Sequence, residues 1–310
     1  MYKKRIAALL SLMVLISCVN EPKSFIKFDG PTMAISKQNG LIYVADGYYN
    51  SRILIFDSNG NYLNSFGSKG YDKGEFQNPH SILLDFEDNL WVADRDNGRI
   101  QIFDNNNNFI KEVYGENLGR PWSLAITKDG LIYSLDGGDQ GENKHAGLSI
   151  LNIDGEILSY SNLYGNEIGK INWGHSISVN SNGSSCYITD IKLNYICKLD
   201  RVLINNENRV VFNPDFNWIY KVNKYVLRPL SIVECDNELF VGEDIPKASI
   251  KVFNSTTGEY KREILQGIFK KPHSISIDNN NFFWITDVDY NKVYKVSKEG
   301  EIILTLGDNK

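Results

Sequence analysis

Four histidines occur in the 310 residues, and three share one local context: His80, His175 and His273 each directly follow a Pro or Gly that opens a short alternating apolar run. Neutral imidazole is a good ligand for zinc and neighbouring metals. Three imidazoles with a fourth position left to water or substrate form the usual donor set of a catalytic zinc, whereas structural zinc sites fill all four positions, mostly with Cys. A single histidine so placed would read as a strand cap or a water-binding side chain. Three at one recurring position point to a metal centre, with Zn²⁺ the first choice. The fourth, His145, lies in the polar stretch GENKHAG and reads as a solvated side chain.

The elements that would position these rings form an internal repeat. Pro79 to Asp94 (PHSILLDFEDNLWVAD) and Pro272 to Asp287 (PHSISIDNNNFFWITD) are its clearest copies, and the others run Pro31 to Asp46, Pro121 to Asp136, Gly174 to Asp190 and Pro229 to Glu243. From first to last residue the offsets are 15, 15, 15, 16, 14 and 15 in chain order. Each copy holds two alternating runs around a polar turn, and a third run follows, such as RILIF from Arg52 or RIQIF from Arg99. A Gly or Asn turn and a fourth run complete a unit of roughly 48 residues, the signature of a propeller blade. The expected fold is therefore all-β, a six-bladed β-propeller over residues 29 to 308 with four antiparallel strands per blade. Phe25 to Phe28 is expected to help close the ring, and no linker or second domain is visible. The histidines fall in the second, fourth and sixth copies, which lie about 120° apart in a six-bladed ring. Side chains turned inward there would converge on the axis.

The acidic residue that ends each copy demands a different reading. Asp46, Asp94, Asp136, Asp190 and Asp287 recur in nearly every unit, which suits turn capping rather than chemistry. Polar residues that break the symmetry beside them are the better candidates. Tyr48 follows Asp46 by two positions, Arg95 directly follows Asp94, and Arg120 and Arg228 directly precede a repeat-opening Pro. Each alone would read as a surface or packing residue.

Composition excludes several classes of function. A net charge of -5, a pI near 5.5 and no cluster of Lys or Arg past the first five residues leave nothing to release counterions from a phosphate backbone, so nucleic acid is not an expected partner. Lys3, Lys4 and Arg5 precede an apolar run from Ile6 to Ile16 that is short for a membrane span and reads as a signal peptide. It ends in Leu15-Ile16-Ser17-Cys18, which resembles a bacterial lipobox: residues 1–17 would be removed, Cys18 lipidated, and residues 18–28 would form the tether. The expected location is exported and lipid-anchored in a bacterial cell envelope, with Asn20 favouring the outer membrane. The remaining cysteines, Cys186, Cys197 and Cys235, allow at most one intrachain bridge.

From Val44 to Val113 the stretches VADGYYNSRILIFDSNGNYLNSFG, GEFQNPHSILL and LWVADRDNGRIQIFDNNNNFIKEV closely resemble NHL repeats of the peptidyl-α-hydroxyglycine α-amidating lyase family. The likeness continues through LGRPWSLAI and LSILNIDGEIL to the His175 unit, and KKPHSISIDNNNFFWITDVDYNKVYKV resembles the family's first histidine blade. This resemblance implies a six-bladed propeller holding Zn²⁺ on His80, His175 and His273. It implies a catalytic Tyr at Tyr48, a substrate-binding Arg at Arg95, and a further Arg matched across a gapped stretch by Arg228. The implied reaction cleaves a peptidyl-α-hydroxyglycine into a peptide amide and glyoxylate. Tyr48 would serve as base only if the nearby cation lowers its pKa from about 10, as expected here. Arg95 would bind the substrate carboxylate through its planar fork.

Departures from the family accompany these matches. The blade matching His273 comes first in the family and last here, a permutation that a closed ring with adjacent termini tolerates. Ser176 stands where the family has an Asp tied to structural calcium, which argues against Ca²⁺. The family's disulfide positions fall on Trp91 and Ile102, whereas Cys186 and Cys197 hold the equivalent offsets two blades later and are expected to pair. No monooxygenase domain accompanies the propeller, so a separate protein would supply the hydroxyglycine. A monomer is expected. The competing reading is a non-catalytic lipoprotein propeller that binds a peptide, glycan or protein partner. A calcium-dependent lactonase-like propeller fits less well, because no set of Glu and Asn ligands occupies the recurring inner positions.

Overall fold

Short β-branched runs separated by Gly, Asn and Asp turns can bury both faces only by stacking sheet against sheet. In the computed structural model, which describes residues 26–138, 145–204 and 209–307, they do so as six four-stranded antiparallel sheets around a central channel. The proposed lipobox, Cys18 and most of the tether lie outside the described residues. Strand order within each sheet follows the chain, so every blade is one contiguous segment. The innermost strands are Met33–Ser36, Pro79–Leu84, Pro121–Ile126, Gly174–Val179, Pro229–Cys235 and Pro272–Ile277. They fall on the openings of the six repeats, and each repeat's acidic residue ends the second strand of its blade. Among the described residues, no helix is long and apolar enough to cross a membrane.

The recurring acids are scaffold, as their repetition implied. Asp190, fully buried, accepts from the backbone N–H groups of Asn172 (2.6 Å), Trp173 (2.9 Å) and Leu193 (2.7 Å), which ties the entry of the innermost strand to the exit of the second. Asp94 and Asp287 do the same for Gln77 and Lys270. These bonds fix the height at which each inner strand begins, and hence the height of the residue after each Pro or Gly.

Closure differs from expectation. Blade 1 (Met33 to Phe66) and blade 6 (Pro272 to Leu306) are each complete, and residues 26–28 form no strand. The seam is held by packing and hydrogen bonds instead. Phe28 is buried with Val44, Trp284, Val293 and Leu306, the Thr286 hydroxyl donates to the Thr32 carbonyl at 3.1 Å, and the Gly30 N–H donates to Asn291 Oδ1 at 2.8 Å.

The disulfide expected from the resemblance is not formed: Cys186 and Cys197 are free, buried thiols. Register supplies the reason. Trp91 pairs directly with Ile102, but blade 4 carries one extra residue between Gly174 and Asp190, so Cys186 pairs with Leu199 and Cys197 with Ile188. The two thiols are diagonal neighbours, whose backbones stand about 7–8 Å apart in such a ladder, beyond ordinary disulfide reach.

Candidate metal centre

His80, His175 and His273 are the second residues of the inner strands of blades 2, 4 and 6, and all are buried. Their ring centroids lie 4.6 to 5.1 Å apart, and one nitrogen from each falls within 4.8 Å of the other two. The alternation read from the sequence thus places three rings at one point on the channel axis.

The intervening blades set the orientation of those rings. Nδ1 of His80 lies 2.7 Å from the Trp122 carbonyl oxygen, that of His175 2.8 Å from Leu230 O, and that of His273 2.8 Å from Thr32 O. A carbonyl can only accept, so each Nδ1 carries the proton and each Nε2 presents a lone pair. Thr32, Trp122 and Leu230 hold the same repeat position as the histidines in blades 1, 3 and 5. Six equivalent residues therefore alternate as imidazole donor and backbone acceptor around the ring.

The electrostatics keep these rings neutral. Burial lowers the pKa of His80 well below the ordinary value, with Arg95 and the other two histidines adding to it. Burial does the same for His175 and holds His273 at about 3. Three neutral, convergent imidazole nitrogens with fixed tautomers fit a metal cation, and metal-binding histidines usually show this carbonyl contact behind the ring.

Tyr48 touches the same point. It lies on the short helix Gly47–Asn50 after the second strand of blade 1, where a Cβ on Gly47 would collide with the Pro79 carbonyl oxygen. Its hydroxyl is 2.9 Å from His273 Nε2 and 3.4 Å from His80 Nε2. Burial pushes its pKa up to about 12, partly opposed by Arg95, so the expected lowering would have to come from the cation itself. Arg95 is buried with its guanidinium carbon 4.2 Å from the Trp122 ring centroid, and Asp96 accepts from its Nε at 2.9 Å.

A cavity of about 280 Å³ opens above the histidines, bounded by Tyr48, Arg95, His175 and His273 together with Arg228. Arg228 is half-exposed at the rim and donates to Asp244 Oδ2 at 2.6 Å. Arg120 lies farther out, paired with Asp96. Sequence reading missed the apolar wall of Trp122, Trp173 and Ile191, and it missed Lys271 and Asp244. A signal for them existed: Trp173 and Lys271 hold the position that flagged Arg120 and Arg228, and Asp244 follows Glu243 as Arg95 follows Asp94. His145 is not simply solvated. Its Nδ1 is 2.5 Å from Asp136 Oδ2 and its Nε2 2.8 Å from the Tyr160 hydroxyl, a pairing absent from the sequence reading.

Fold and site together define a β-propeller with a three-histidine centre set into the mouth of its channel. More particularly, the chain belongs to the family described as a 6-bladed beta-propeller, whose model matches residues 31–225. Peptidyl-glycine alpha-amidating monooxygenase A of Xenopus laevis is 34% identical over 143 residues, covering 44% of this chain and 15% of that one. Peptidyl-alpha-hydroxyglycine alpha-amidating lyase 1 of Drosophila melanogaster is 36% identical over 118 residues, 34% of this chain and 22% of that one. The chain thus spans under a quarter of either relative's length. A solved streptogramin B lyase superposes with a TM-score of 0.60 over 92% of this chain and 85% of that one; at 18% identity this likeness bears on the fold alone. Relatives named as lyases support a lyase-type enzyme at the level of the family.

Proposed function

We propose that this protein is a metal-dependent lyase that cleaves N-acyl-α-hydroxyglycines, peptidyl-α-hydroxyglycine included, to the amide and glyoxylate, with Zn²⁺ as the resident ion. One observation carries this reading: three neutral Nε2 donors converge at the floor of a cavity whose walls hold a tyrosine hydroxyl and an arginine. A divalent cation there would supply Lewis acidity towards a substrate oxygen and would favour the anionic form of nearby acids.

The reaction breaks one C–N bond and forms one C=O bond without net oxidation. The carbinol O–H loses its proton, the carbon becomes the aldehyde of glyoxylate, and the departing nitrogen gains a proton to become the amide. Tyr48 is placed to move that proton, because its hydroxyl is the ionisable group in contact with two donor nitrogens. Arg95 is placed to fix the substrate carboxylate. Stacking on Trp122 and the bond to Asp96 hold its fork at the cavity wall, so orientation is set before substrate arrives. The Trp122 and Trp173 rings keep water from one side.

The test uses the full chain and N-benzoyl-α-hydroxyglycine. Glyoxylate and benzamide should form in equal amounts, cease after chelation and resume when Zn²⁺ is returned. No glyoxylate from protein that carries a stoichiometric metal would overturn the reading.

A further inference from the structure

Two clusters on opposite sides of the centre are each built from two cations around one carboxylate. Where blades 2 and 3 meet, Asp96 pairs with Arg95 at 2.9 Å and with Arg120. Where blades 5 and 6 meet, Asp244 pairs with Arg228 at 2.6 Å and faces Lys271 Nζ at 3.8 Å. The repeat explains the likeness. Arg95 and Asp244 each directly follow the acid that ends a second strand, while Arg120, Arg228 and Lys271 each directly precede a strand-opening Pro. Blades 2 and 5, like blades 3 and 6, lie about 180° apart in a six-bladed ring.

The cluster of Arg228, Lys271 and Asp244 has a formal charge of two cations less one carboxylate, +1, on a chain whose net charge is -5. Three cations of the two clusters line the cavity, Arg95, Arg228 and Lys271, whereas Asp244 is the one carboxylate that does. Between the poles runs the apolar wall of Trp122, Trp173, Ile191 and Leu230. A substrate with a single carboxylate answers one pole and leaves the other uncompensated beside the histidine centre. Lys271 is the cation less committed to its partner: 3.8 Å exceeds hydrogen-bond distance, and its stem can swing into the cavity.

We propose that the site selects N-acyl-α-hydroxyglycines whose acyl group carries a second carboxylate, with Arg95 taking the glycine carboxylate and Lys271, aided by Arg228, taking the distal one. This rests on the lyase reading above. It adds a specificity-determining residue, Lys271, and a substrate class, the dianionic acyl-hydroxyglycines.

Paired substrates test it: N-butanoyl- against N-succinyl-α-hydroxyglycine, and N-benzoyl- against N-(4-carboxybenzoyl)-α-hydroxyglycine. With the native chain, kcat/KM should favour the carboxylated member of each pair by about tenfold at low salt, and less at high salt, as expected for charge complementarity. In Lys271→Gln the ratio should fall close to one, and Lys271→Arg should restore most of it. Glutarate should also inhibit the native chain more strongly than butyrate, a difference lost in Lys271→Gln. Glyoxylate from both members of a pair at equal kcat/KM, with a ratio indifferent to Lys271, would overturn this inference and leave the lyase reading standing. Glyoxylate from none of the four would overturn both.

Discussion

His273 Nδ1 donates to the Thr32 carbonyl oxygen across 2.8 Å and 241 positions of sequence, joining the last blade to the first. The bond belongs to the seam of the ring and to the metal centre at once. By holding the proton on Nδ1 it turns the Nε2 lone pair towards the axis, and His80 and His175 are fixed in the same way by Trp122 and Leu230. Donor geometry is thus a property of the closed ring rather than of three independent side chains.

Two imidazoles cannot reproduce that donor set. His175→Ala and His273→Ala should each retain less than about a tenth of the native metal content after dialysis, since even loss of an outer partner costs 10–100-fold in affinity. Elemental analysis of protein purified without chelator checks this. Undiminished metal in either variant would place the ion elsewhere.

Tyr48→Phe removes one oxygen and keeps the ring that packs edge-on to His80 and His273. If the hydroxyl moves a proton, kcat should fall by about 10²–10⁴ while metal content stays at the native level. Steady-state glyoxylate release, read beside elemental analysis of the same preparation, separates this from a loss of metal. A kcat within threefold of native would leave Tyr48 no role in proton transfer.

The sequence disclosed the parts of this molecule that are periodic. Blade number, strand order, the scaffold role of Asp46 to Asp287 and the convergence of His80, His175 and His273 all follow from constant spacing, because a propeller converts sequence period into angle. Features that depend on one blade's departure from the repeat were hidden. The added residue in blade 4 offsets Cys186 from Cys197, and the replacement of Arg52 or Arg99 by Gly147 in blade 3 leaves Asp136 to be paired by His145. Helix Phe216–Asn223, capped by Asp215 and buried through Trp218 and Val222, interrupts the repeat between blades 4 and 5 and was not anticipated. Lys271 carries the same signal as Arg120 and Arg228, a charged residue directly before a strand-opening Pro, and was overlooked although that signal was legible.

Asp190→Ala should destabilise the fold severely. Three backbone N–H groups would lose their acceptor at a buried site, at roughly 1–3 kcal/mol each when left unsatisfied. A drop of at least about 3 kcal/mol in unfolding free energy is expected from urea titration. A loss below about 1 kcal/mol would show that water replaces the carboxylate.

Burial pushes the Cys186 and Cys197 thiols well above their ordinary pKa, and neither is exposed. Thiolate is the reactive form, so both should resist alkylation at pH 8 in the native chain and react once it is unfolded. Peptide mapping after pulse labelling reads this directly. A bridged pair recovered under non-reducing conditions would contradict the register of blade 4.

Acid should loosen the far end of blade 5 before it reaches the core. Glu238 receives both Nη groups of Arg262, at 2.6 and 2.9 Å, and Lys261 Nζ at 2.8 Å. The Arg262 hydrogen bonds, then those of Lys261, hold its carboxyl down at about 2, against an ordinary value of 4.5. A depressed carboxylate binds fewer protons in the folded state than in the unfolded one, so its contribution is present above pH 4.5 and lost as pH falls towards 2. Urea midpoints measured from pH 6 to pH 2 should therefore fall more steeply in the native chain than in Glu238→Gln, which has no proton to gain and should be less stable at pH 6. Parallel profiles would mean that this ion-pair cluster adds nothing to stability, as many exposed pairs do not.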